Sequence, residues 1–436
     1  MESITSTLKY DQYSDSGYEW IGEIPEHWDL VKLGSCLSPV SVKNCPELPL
    51  LSITREQGVI ERDVDNQESN HNFIPDDLSG YKKLEKGQFG MNKMKAWQGS
   101  YGVSKFTGIV SPAYFIFDFT KAINPEFFNW AIRSKLYVSF FGSASDGVRI
   151  GQWDLSKARM KVIPFVLPSE EEQSLIANFL DKKTALIDEA ISIKEQQISL
   201  LKERKQIIIQ QAVTQGLDPN VPMKDSGVDW IGKIPAHWDL VKLGSCLSPV
   251  SVKNSPELPL LSITREQGVI ERDVDDQESN HNFIPDDLRG YKKLEKGQFG
   301  MNKMKAWQGS YGVSKFTGIV SPAYFVFDLT KAINPEFFNW AIRSKLYVSF
   351  FGSASDGVRI GQWDLSKARM KVIPFVLPSE EEQLLIAKHL DEKLEQVDVA
   401  IKIKLQQIER LREYRSSLIN SAVTGKIKIT PEMVEQ

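Results

Sequence analysis

The chain contains little cysteine and little histidine, and this scarcity excludes the sites that these residues usually build. It has three cysteines and five histidines among 436 residues. Cys36 and Cys246 are equivalent positions of an internal repeat, whereas Cys45 is matched by Ser255, so no disulfide or metal site common to both copies could use that position. The histidines show no ligand spacing near a cysteine pair. We therefore expect no metal site in this chain.

Long apolar segments and an excess of positive charge are also missing. No run approaches the ~18–20 apolar residues of a membrane-spanning helix, and the polar start of the chain lacks the apolar stretch of a secretory signal. We expect a cytoplasmic protein. The net charge of −4 argues against a chain that coats nucleic acid by bulk charge. A local basic face remains possible on these grounds.

Sequence motifs for catalysis are absent or incomplete. There is no GxxxxGK[ST] and hence no phosphate-binding loop of the ATPase type. The NPEF sequence at Asn124–Phe127 resembles the NPP-aromatic motif of amino-methyltransferases, but Glu126 replaces the second proline and no glycine-rich cofactor loop precedes it. Pro75–Asp77 lacks the acid-x-Lys element that would complete a nuclease site. We expect no catalytic residue here.

What the chain does contain is a long internal repeat. Residues 20–173 return as residues 230–383 with seven mismatches. The mismatched pairs are Glu23/Lys233, Glu26/Ala236, Cys45/Ser255, Asn66/Asp276, Ser79/Arg289, Ile116/Val326 and Phe119/Leu329. The repeating unit is the size of a domain rather than of a solenoid repeat. A duplicated domain suits a partner that is itself repeated, such as duplex DNA with two half-sites.

Within the repeat, short alternating segments predict a β-rich domain. Leu48–Val64 reads as strand, turn and strand around Gly58, and the glycine-rich Tyr81–Phe119 predicts short strands with tight turns. Asn124–Phe141 has the periodicity of one amphipathic helix, and Lys157–Pro168 is predicted as a final strand.

After each domain the sequence predicts one long helix. The first runs from Glu170 to about Val213, or ~65 Å at 1.5 Å per residue. Ser169 and Glu172 form a capping box at its start, and Gly216 lies just past its end. The second helix is predicted from Glu380 to about Val423, with Gly425 at its stop.

Apolar residues recur along both helices at steps of three, four or seven, which is the pattern of a coiled-coil seam. The predicted seam residues are Ile187, Ile191, Ile198, Leu201 and Ile208 on the first helix and Val397, Ile401, Leu405, Ile408, Leu411 and Leu418 on the second. The helix sequences have diverged more than the domains, so we expect each helix to pack against the other. Packing of each helix along its own domain is the alternative.

These observations predict a duplicated α/β fold of mixed α+β domains with mostly antiparallel strands. Two long helices would join them, and if these pair as an antiparallel coiled coil, the chain acquires approximate two-fold symmetry. The predicted divisions are 1–168 and 217–378 for the two domains, 169–216 and 379–425 for the helices, and 426–436 for a tail.

Two basic tracts are the candidate nucleic-acid contacts. Lys82–Lys105 holds six lysines and one glutamate, with Asn and Gln side chains that can pair with adenine in the major groove. Arg133–Lys161 holds six cations and two aspartates. For any single lysine a solvated charged surface is the simpler interpretation, and Trp97 and Tyr101 are expected in the core.

The candidate DNA-contacting residues fall at the same positions of both repeats. In the first they are Arg55, Lys82, Lys83, Lys93, Lys95, Gln98, Lys105, Arg149 and Gln152. In the second they are Arg265, Lys292, Lys293, Lys303, Lys305, Gln308, Lys315, Arg359 and Gln362.

Several motifs together resemble one family, the specificity subunits of type I restriction-modification enzymes. They are the twice-repeated SGxxWIGxIPxHW, the GQFGMNKMKAWQGSYGVSKFTGIVSPAYF tract, the NPEFFNW helix and the PxxxPSEEEQ start of each long helix. The resemblance covers nearly the whole chain. It implies two target recognition domains, each reading half of a split DNA sequence, and a coiled coil that sets their spacing.

The resemblance further implies a non-catalytic subunit that works with other chains. Two modification subunits would bind S-adenosylmethionine and methylate adenine at N6. Two restriction subunits would use ATP and Mg²⁺ to translocate and cut DNA. The setting implied is the prokaryotic cytoplasm, with association to the nucleoid through DNA.

This chain departs from the family pattern because its two recognition domains are nearly identical. We therefore expect a target with the same half-site twice, in inverted orientation, around a non-specific spacer. The Ser79/Arg289 mismatch is the place to look for unequal affinity. A stand-alone DNA-binding regulator without modification partners and a chain with a fused nuclease or methyltransferase are the alternative functions.

Overall fold

The structure, a computed structural model, describes residues 8–63, 74–120, 122–149, 152–273, 284–330, 332–359 and 362–435. Side chains are described throughout these ranges except at 146–149, 152–154, 356–359 and 362–364. The chain divides into two compact units, Met1–Lys194 with Gln406–Gln436, and Glu195–Leu405. Each unit therefore contains one repeat and a part of each long helix.

The first repeat consists of short strands and three short helices. Its strands are β1 (Tyr13–Asp15), β2 (Glu23–Pro25), β3 (Asp29–Lys32), β4 (Leu37–Val40), β5 (Leu51–Thr54), β6 (Gly58–Glu61), β7 (Lys82–Leu84), β8 (Phe89–Met91), β9 (Tyr101–Val103), β10 (Gly108–Val110), β11 (Phe115–Phe119), β12 (Asp146–Arg149), β13 (Gln152–Asp154) and β14 (Pro164–Leu167). Its helices are α1 (Pro125–Ile132), α2 (Lys135–Ser143) and α3 (Lys157–Lys161), and the long α4 (Glu170–Gln215) follows.

The second repeat has the same elements in the same order. Its strands are β15 (Met223–Asp225), β16 (Lys233–Pro235), β17 (Asp239–Lys242), β18 (Leu247–Val250), β19 (Leu261–Thr264), β20 (Gly268–Glu271), β21 (Lys292–Leu294), β22 (Phe299–Met301), β23 (Tyr311–Val313), β24 (Gly318–Val320), β25 (Phe325–Leu329), β26 (Asp356–Arg359), β27 (Gln362–Asp364) and β28 (Pro374–Leu377). Its helices are α5 (Pro335–Ile342), α6 (Lys345–Ser353) and α7 (Lys367–Lys371), followed by α8 (Glu380–Val423) and α9 (Pro431–Glu435).

The main sheet of each domain has four antiparallel strands, in the order β4-β11-β8-β9 in the first repeat and β18-β25-β22-β23 in the second. The β5–β6 hairpin forms as the sequence predicts, with its turn at residues 55–57 and Gly58 as the first residue of β6. Aromatic side chains fill the space between sheet and helices. Phe128 and Phe165 are fully buried with ring centroids 5.1 Å apart, and the equivalent pair in the second repeat is 5.3 Å apart. Such rings supply much of the apolar burial that stabilises the domain.

Two of the predicted elements are wrong. The segment predicted as one helix over Asn124–Phe141 is two helices, because Ser134 leaves the helical conformation and its Oγ accepts a hydrogen bond from Tyr137 N, capping α2. The segment predicted as a strand from Lys157 begins instead as α3, which Ser156 caps in the same way. The strand there is limited to β14.

The long helices form as predicted, and their ends have the predicted chemistry. Ser169 Oγ accepts from Glu172 N at 3.3 Å and donates to the Glu172 carboxylate at 2.9 Å. Gly216 and Gly425 follow the helices with φ of 78° and 72°, the left-handed conformation that ends a helix and favours glycine.

In each unit the two long helices run antiparallel. In the unit that includes the chain ends, Asp188 contacts Arg415 at 3.3 Å and Lys194 donates to Gln407 at 2.9 Å. Residue numbers therefore increase along α4 in the direction in which they decrease along α8. In the other unit Lys205 and Asp398 form an ion pair at 2.7 Å. The 210-residue shift of the repeat relates this pair to Asp188 and Arg415.

The predicted seam residues are buried or half-buried, with one exception. Ile187, Ile191, Ile198, Ile408 and Leu418 are buried, and Leu201, Ile208, Val397, Ile401 and Leu411 are half-buried. Leu405 is wrongly predicted, because its side chain is 54% exposed. A step of three residues from Ile401 leads to Lys404, and a further step of four leads to Ile408. Lys404 is half-buried and therefore fits the seam spacing better than Leu405.

Candidate nucleic-acid interface

Four lysines of the first domain converge around Lys82, and we call them the lysine patch: Lys43, Lys82, Lys93 and Lys157. The Lys82 ammonium donates to the carbonyl oxygen of Tyr114 at 2.7 Å. Burial lowers the pKa of Lys82, and the positive charges of Lys157, Lys43 and Lys93 lower it further. Positive charges that act on one another in this way repel, so the patch is suited to an anion.

Three local structures bring these lysines together from distant parts of the sequence. Lys82 opens β7, which pairs with β10. Lys93 begins a 3₁₀ turn that is capped by Asn92, whose side chain accepts from Met94 N at 3.2 Å. Lys157 is the first residue of α3. Because Lys43 and Lys157 lie far from Lys82 in the sequence, the sequence alone does not reveal these two members of the patch.

Aromatic residues form part of the same surface. The Lys157 ammonium lies 4.7 Å from the centroid of the Phe115 ring, a cation–π contact. The Asn92 amide donates to the Tyr114 hydroxyl at 3.3 Å. The amide of Asn92 is buried and holds the local structure, whereas the lysines supply cations of the kind that contact phosphates in nucleic-acid complexes.

The second domain builds an equivalent patch from Lys253, Lys292, Lys303 and Lys367. Lys292 donates to Tyr324 O at 2.6 Å, and burial followed by the charges of the other three lysines lowers its pKa. Lys367 lies 4.8 Å from the Phe325 ring centroid. Both units therefore present the same chemistry.

Of the residues predicted from sequence, Lys82 and Lys93 lie in the patch, as do Lys292 and Lys303 in the second domain. Sequence reasoning missed Lys43 and Lys157 as candidates, together with their equivalents. Lys157 falls in the second basic tract, so its charge was a usable signal. Lys43 stands alone in sequence and had none.

Other predicted cations are paired with neighbouring acids. Lys83 contacts Glu85 at 2.6 Å, and this carboxylate raises the pKa of Lys83. Arg55 donates to Glu56 at 2.7 Å. The equivalent pairs recur in the second domain as Lys293 with Glu295 and Arg265 with Glu266. Exposed pairs of this kind contribute about 0–1 kcal/mol, so a phosphate can replace the acid at little cost.

The remaining predicted residues are divided between exposed positions and a groove. Lys95 and Lys105 are exposed, as are Lys305 and Lys315. Gln98 and Arg55 line a groove between the first domain and α8, and Gln308 is half-buried at the equivalent position. The side chains of Arg149, Gln152, Arg359 and Gln362 lie outside the described part of the structure.

The Ser79/Arg289 mismatch lies beside the patch. Ser79 O accepts a hydrogen bond from Asn44 N, and Arg289 O accepts one from Asn254 N, both at 3.1 Å. Asn44 directly follows the patch residue Lys43, and Asn254 directly follows Lys253. Arg289 also makes two 3.0 Å bonds to the carboxylate of Asp287 and lowers the pKa of that group to about 2. Only the second domain therefore has an arginine against this aspartate.

In the described ranges of the chain, histidines, cysteines and acids form no group of three that could hold a metal ion. None of the helices in these ranges has the length and apolar character needed to cross a membrane.

The chain is similar over nearly its whole length to known specificity subunits. It is 23% identical to the type I restriction enzyme MjaX specificity subunit of Methanocaldococcus jannaschii, covering 94% of this chain and 96% of that protein. It is 24% identical to the MjaVIII specificity subunit of the same organism, covering 93% and 94%. No family model matches.

Solved structures show the same fold. A chain from a structural study of complex assembly and conformational transition of the type I R-M system superimposes with a TM-score of 0.67 at 14% identity, covering 93% of this chain and 99% of that one. The HsdS subunit from Thermoanaerobacter tengcongensis gives a TM-score of 0.54 at 14% identity, covering 95% and 100%. The predicted fold class and the resemblance drawn from the repeated motifs are confirmed.

Proposed function

We propose that this chain, a relative of the type I specificity subunits, is a DNA-binding subunit that selects the target sequence for a restriction-modification complex. The observation that carries this proposal is the lysine patch, which is built twice from identical residues, once in each unit. Contacts to phosphates give affinity and position, and base-edge contacts give specificity.

The target we propose is bipartite, with the same half-site in both halves. The seven mismatches between the repeats leave the patch residues unchanged, so both domains offer DNA the same donors and charges. The antiparallel course of the two long helices, seen within each unit, supports an inverted order of the half-sites. A non-specific spacer would separate them.

The covalent chemistry is assigned to partner subunits. We propose two modification subunits that carry S-adenosylmethionine and two restriction subunits that use ATP and Mg²⁺. Support comes from the relatives, which are named as subunits of type I restriction enzymes. The setting proposed is the prokaryotic cytoplasm, with the complex held on DNA.

Co-expression with the cognate modification subunit, followed by sequencing of methylated DNA, tests this function. We expect methylation at inverted copies of one half-site around a fixed spacer. Two unrelated half-sites would contradict the symmetry, and failure of the two chains to co-purify would favour a stand-alone DNA-binding regulator. Methylation by the isolated chain with S-adenosylmethionine would contradict the non-catalytic role.

A further inference from the structure

A cationic groove runs between the first domain and α8, outside the lysine patch. It has a volume of about 280 Å³ and includes the polar side chains of Gln98, Ser134 and Ser416. Among the described residues that line it, five are cationic and none is acidic: Arg55, Arg133, Lys135, Arg412 and Arg415. The last two belong to the long helix.

The domain side of the groove is held rigidly by Arg133. Its guanidinium donates to Tyr101 O at 2.6 Å and to the carbonyls of Arg55 and Glu56 at 3.1 and 2.9 Å. Gly58 makes room for it, because a Cβ there would lie 2.9 Å from Arg133 Nη1. A half-buried arginine fixed by three carbonyls is a permanent positive charge in this wall.

The helix side is joined to the domain at the start of α2. Asn420 of α8 accepts a hydrogen bond from Leu136 N at 3.4 Å. This contact places the N-terminal end of α2 beside the groove, where Ser134 and Lys135 line it. The positive end of the helix dipole adds to the charge of the side chains.

The second repeat keeps the same charges. Arg343 makes the same three bonds as Arg133, to Tyr311, Arg265 and Glu266. The positions of Arg412 and Arg415 are taken by Lys202 and Lys205 on α4. Positive charge is thus retained at these two helix positions although neighbouring positions of the helices have diverged.

We propose that this groove binds the phosphate backbone of duplex DNA, so that the long helix contributes directly to DNA affinity without reading sequence. The inference rests on the proposed function and extends it to residues of the helix. A volume of about 280 Å³ is large enough for a phosphodiester group.

Arginine-rich composition also favours phosphate, because the guanidinium forms paired bonds with phosphate oxygens. Two of the lining residues, Arg55 and Gln98, belong to the set that sequence alone assigns to DNA. The occurrence of equivalent cations beside the second domain fits a ligand that meets both domains.

The test compares two exposed arginines of α8 that are two residues apart. Arg412 lines the groove and Arg410 does not, so Arg410→Ser is the matched control for Arg412→Ser. Affinity of the full chain for a ~30-bp mixed-sequence duplex is measured as a function of salt. Loss of one phosphate contact should make the negative slope of log K against log[salt] shallower by about 0.9 for Arg412→Ser only. An unchanged slope overturns the inference.

Two further variants separate this inference from the proposed function. Lys202→Ser tests the equivalent position of the second unit. It should make the negative slope of log K against log[salt] shallower by a similar amount. If the wild-type chain ignores duplex DNA even with its modification subunit, the proposed function fails. A third outcome is that wild type binds DNA and Arg412→Ser binds it equally well, but added polyglutamate no longer inhibits DNA binding by the variant. The groove would then bind an acidic protein segment, and the DNA inference alone would fail.

Discussion

The two repeated domains and the two long helices are both products of the repeat, yet they have changed to very different extents. In the domains, individual contacts recur one for one. Lys82 and Lys292 donate to equivalent carbonyls, and Arg133 and Arg343 make the same three bonds. Each domain is constrained by its own core. Under the proposed function, near-identity predicts that both domains bind the same half-site.

The helices have changed most at positions that face away from their partner. Glu195 is replaced by Leu405 and Leu200 by Arg410, both at exposed positions. By contrast, Asp188 is matched by Asp398, and each meets a cation on the other helix. Apolar seam positions such as Ile198 and Ile408 are also matched, so the contacts between the helices persist.

The largest expected effect tests whether the two domains are equally dependent on their helices. Trp28 and Trp238 are buried, and each donates to the glutamate that caps its own long helix. We expect Trp28→Ala and Trp238→Ala each to lower the free energy of unfolding by about 3–5 kcal/mol, measured by urea denaturation. Tyr18→Ala, at an exposed position, is the control. A loss in only one variant would break the equivalence.

The seam between the helices can be tested at two neighbouring positions. Ile408 is buried, whereas Leu405 is 54% exposed. Ile408→Ala should destabilise the protein by about 2–3 kcal/mol, because it leaves a cavity between the helices. Leu405→Ala should change stability by less than about 0.5 kcal/mol. Equal losses of stability in the two variants, measured by thermal or urea unfolding, would mean that Leu405 is buried as deeply as Ile408.

The lysine patches provide a test of equal function. Lys157→Ala in the first domain and Lys367→Ala in the second should each weaken DNA binding about tenfold, the value of one charged hydrogen bond. Lys161→Ala, on the same helix as Lys157, is the control. Titrations with a duplex that carries both half-sites would measure this. Clearly unequal losses would mean that the domains bind differently.

The smallest effect concerns the Ser79/Arg289 mismatch. Arg289→Ser removes the arginine that contacts Asp287 beside the second patch and makes the two domains alike at this point. We expect affinity for DNA to fall by less than about fivefold, with greater loss at low salt. Ser79→Arg should raise the affinity of the first domain by a similar factor. A change in the preferred sequence would contradict a purely electrostatic role.

The sequence predicts those parts of the molecule that local chemistry determines. The long helices follow from capping at Ser169 and from the stops at Gly216 and Gly425. The break between α1 and α2 was missed, because Ser134 lies within an otherwise helical apolar period and its cap depends on local geometry. Lys43 and Lys157 were not assigned, because tertiary folding alone brings them to Lys82. Leu405 was assigned to the seam because apolar periodicity favours a leucine over the neighbouring Lys404, yet Lys404 is half-buried and Leu405 is exposed.

A hydroxyl-radical footprint of the complex on its own methylated target tests the central claim most directly. The account predicts two protected segments with the same sequence on opposite strands, equal in length and weakened separately by the two patch variants. A single protected segment, or two segments of unrelated sequence, would contradict the claim that twin domains recognise twin half-sites.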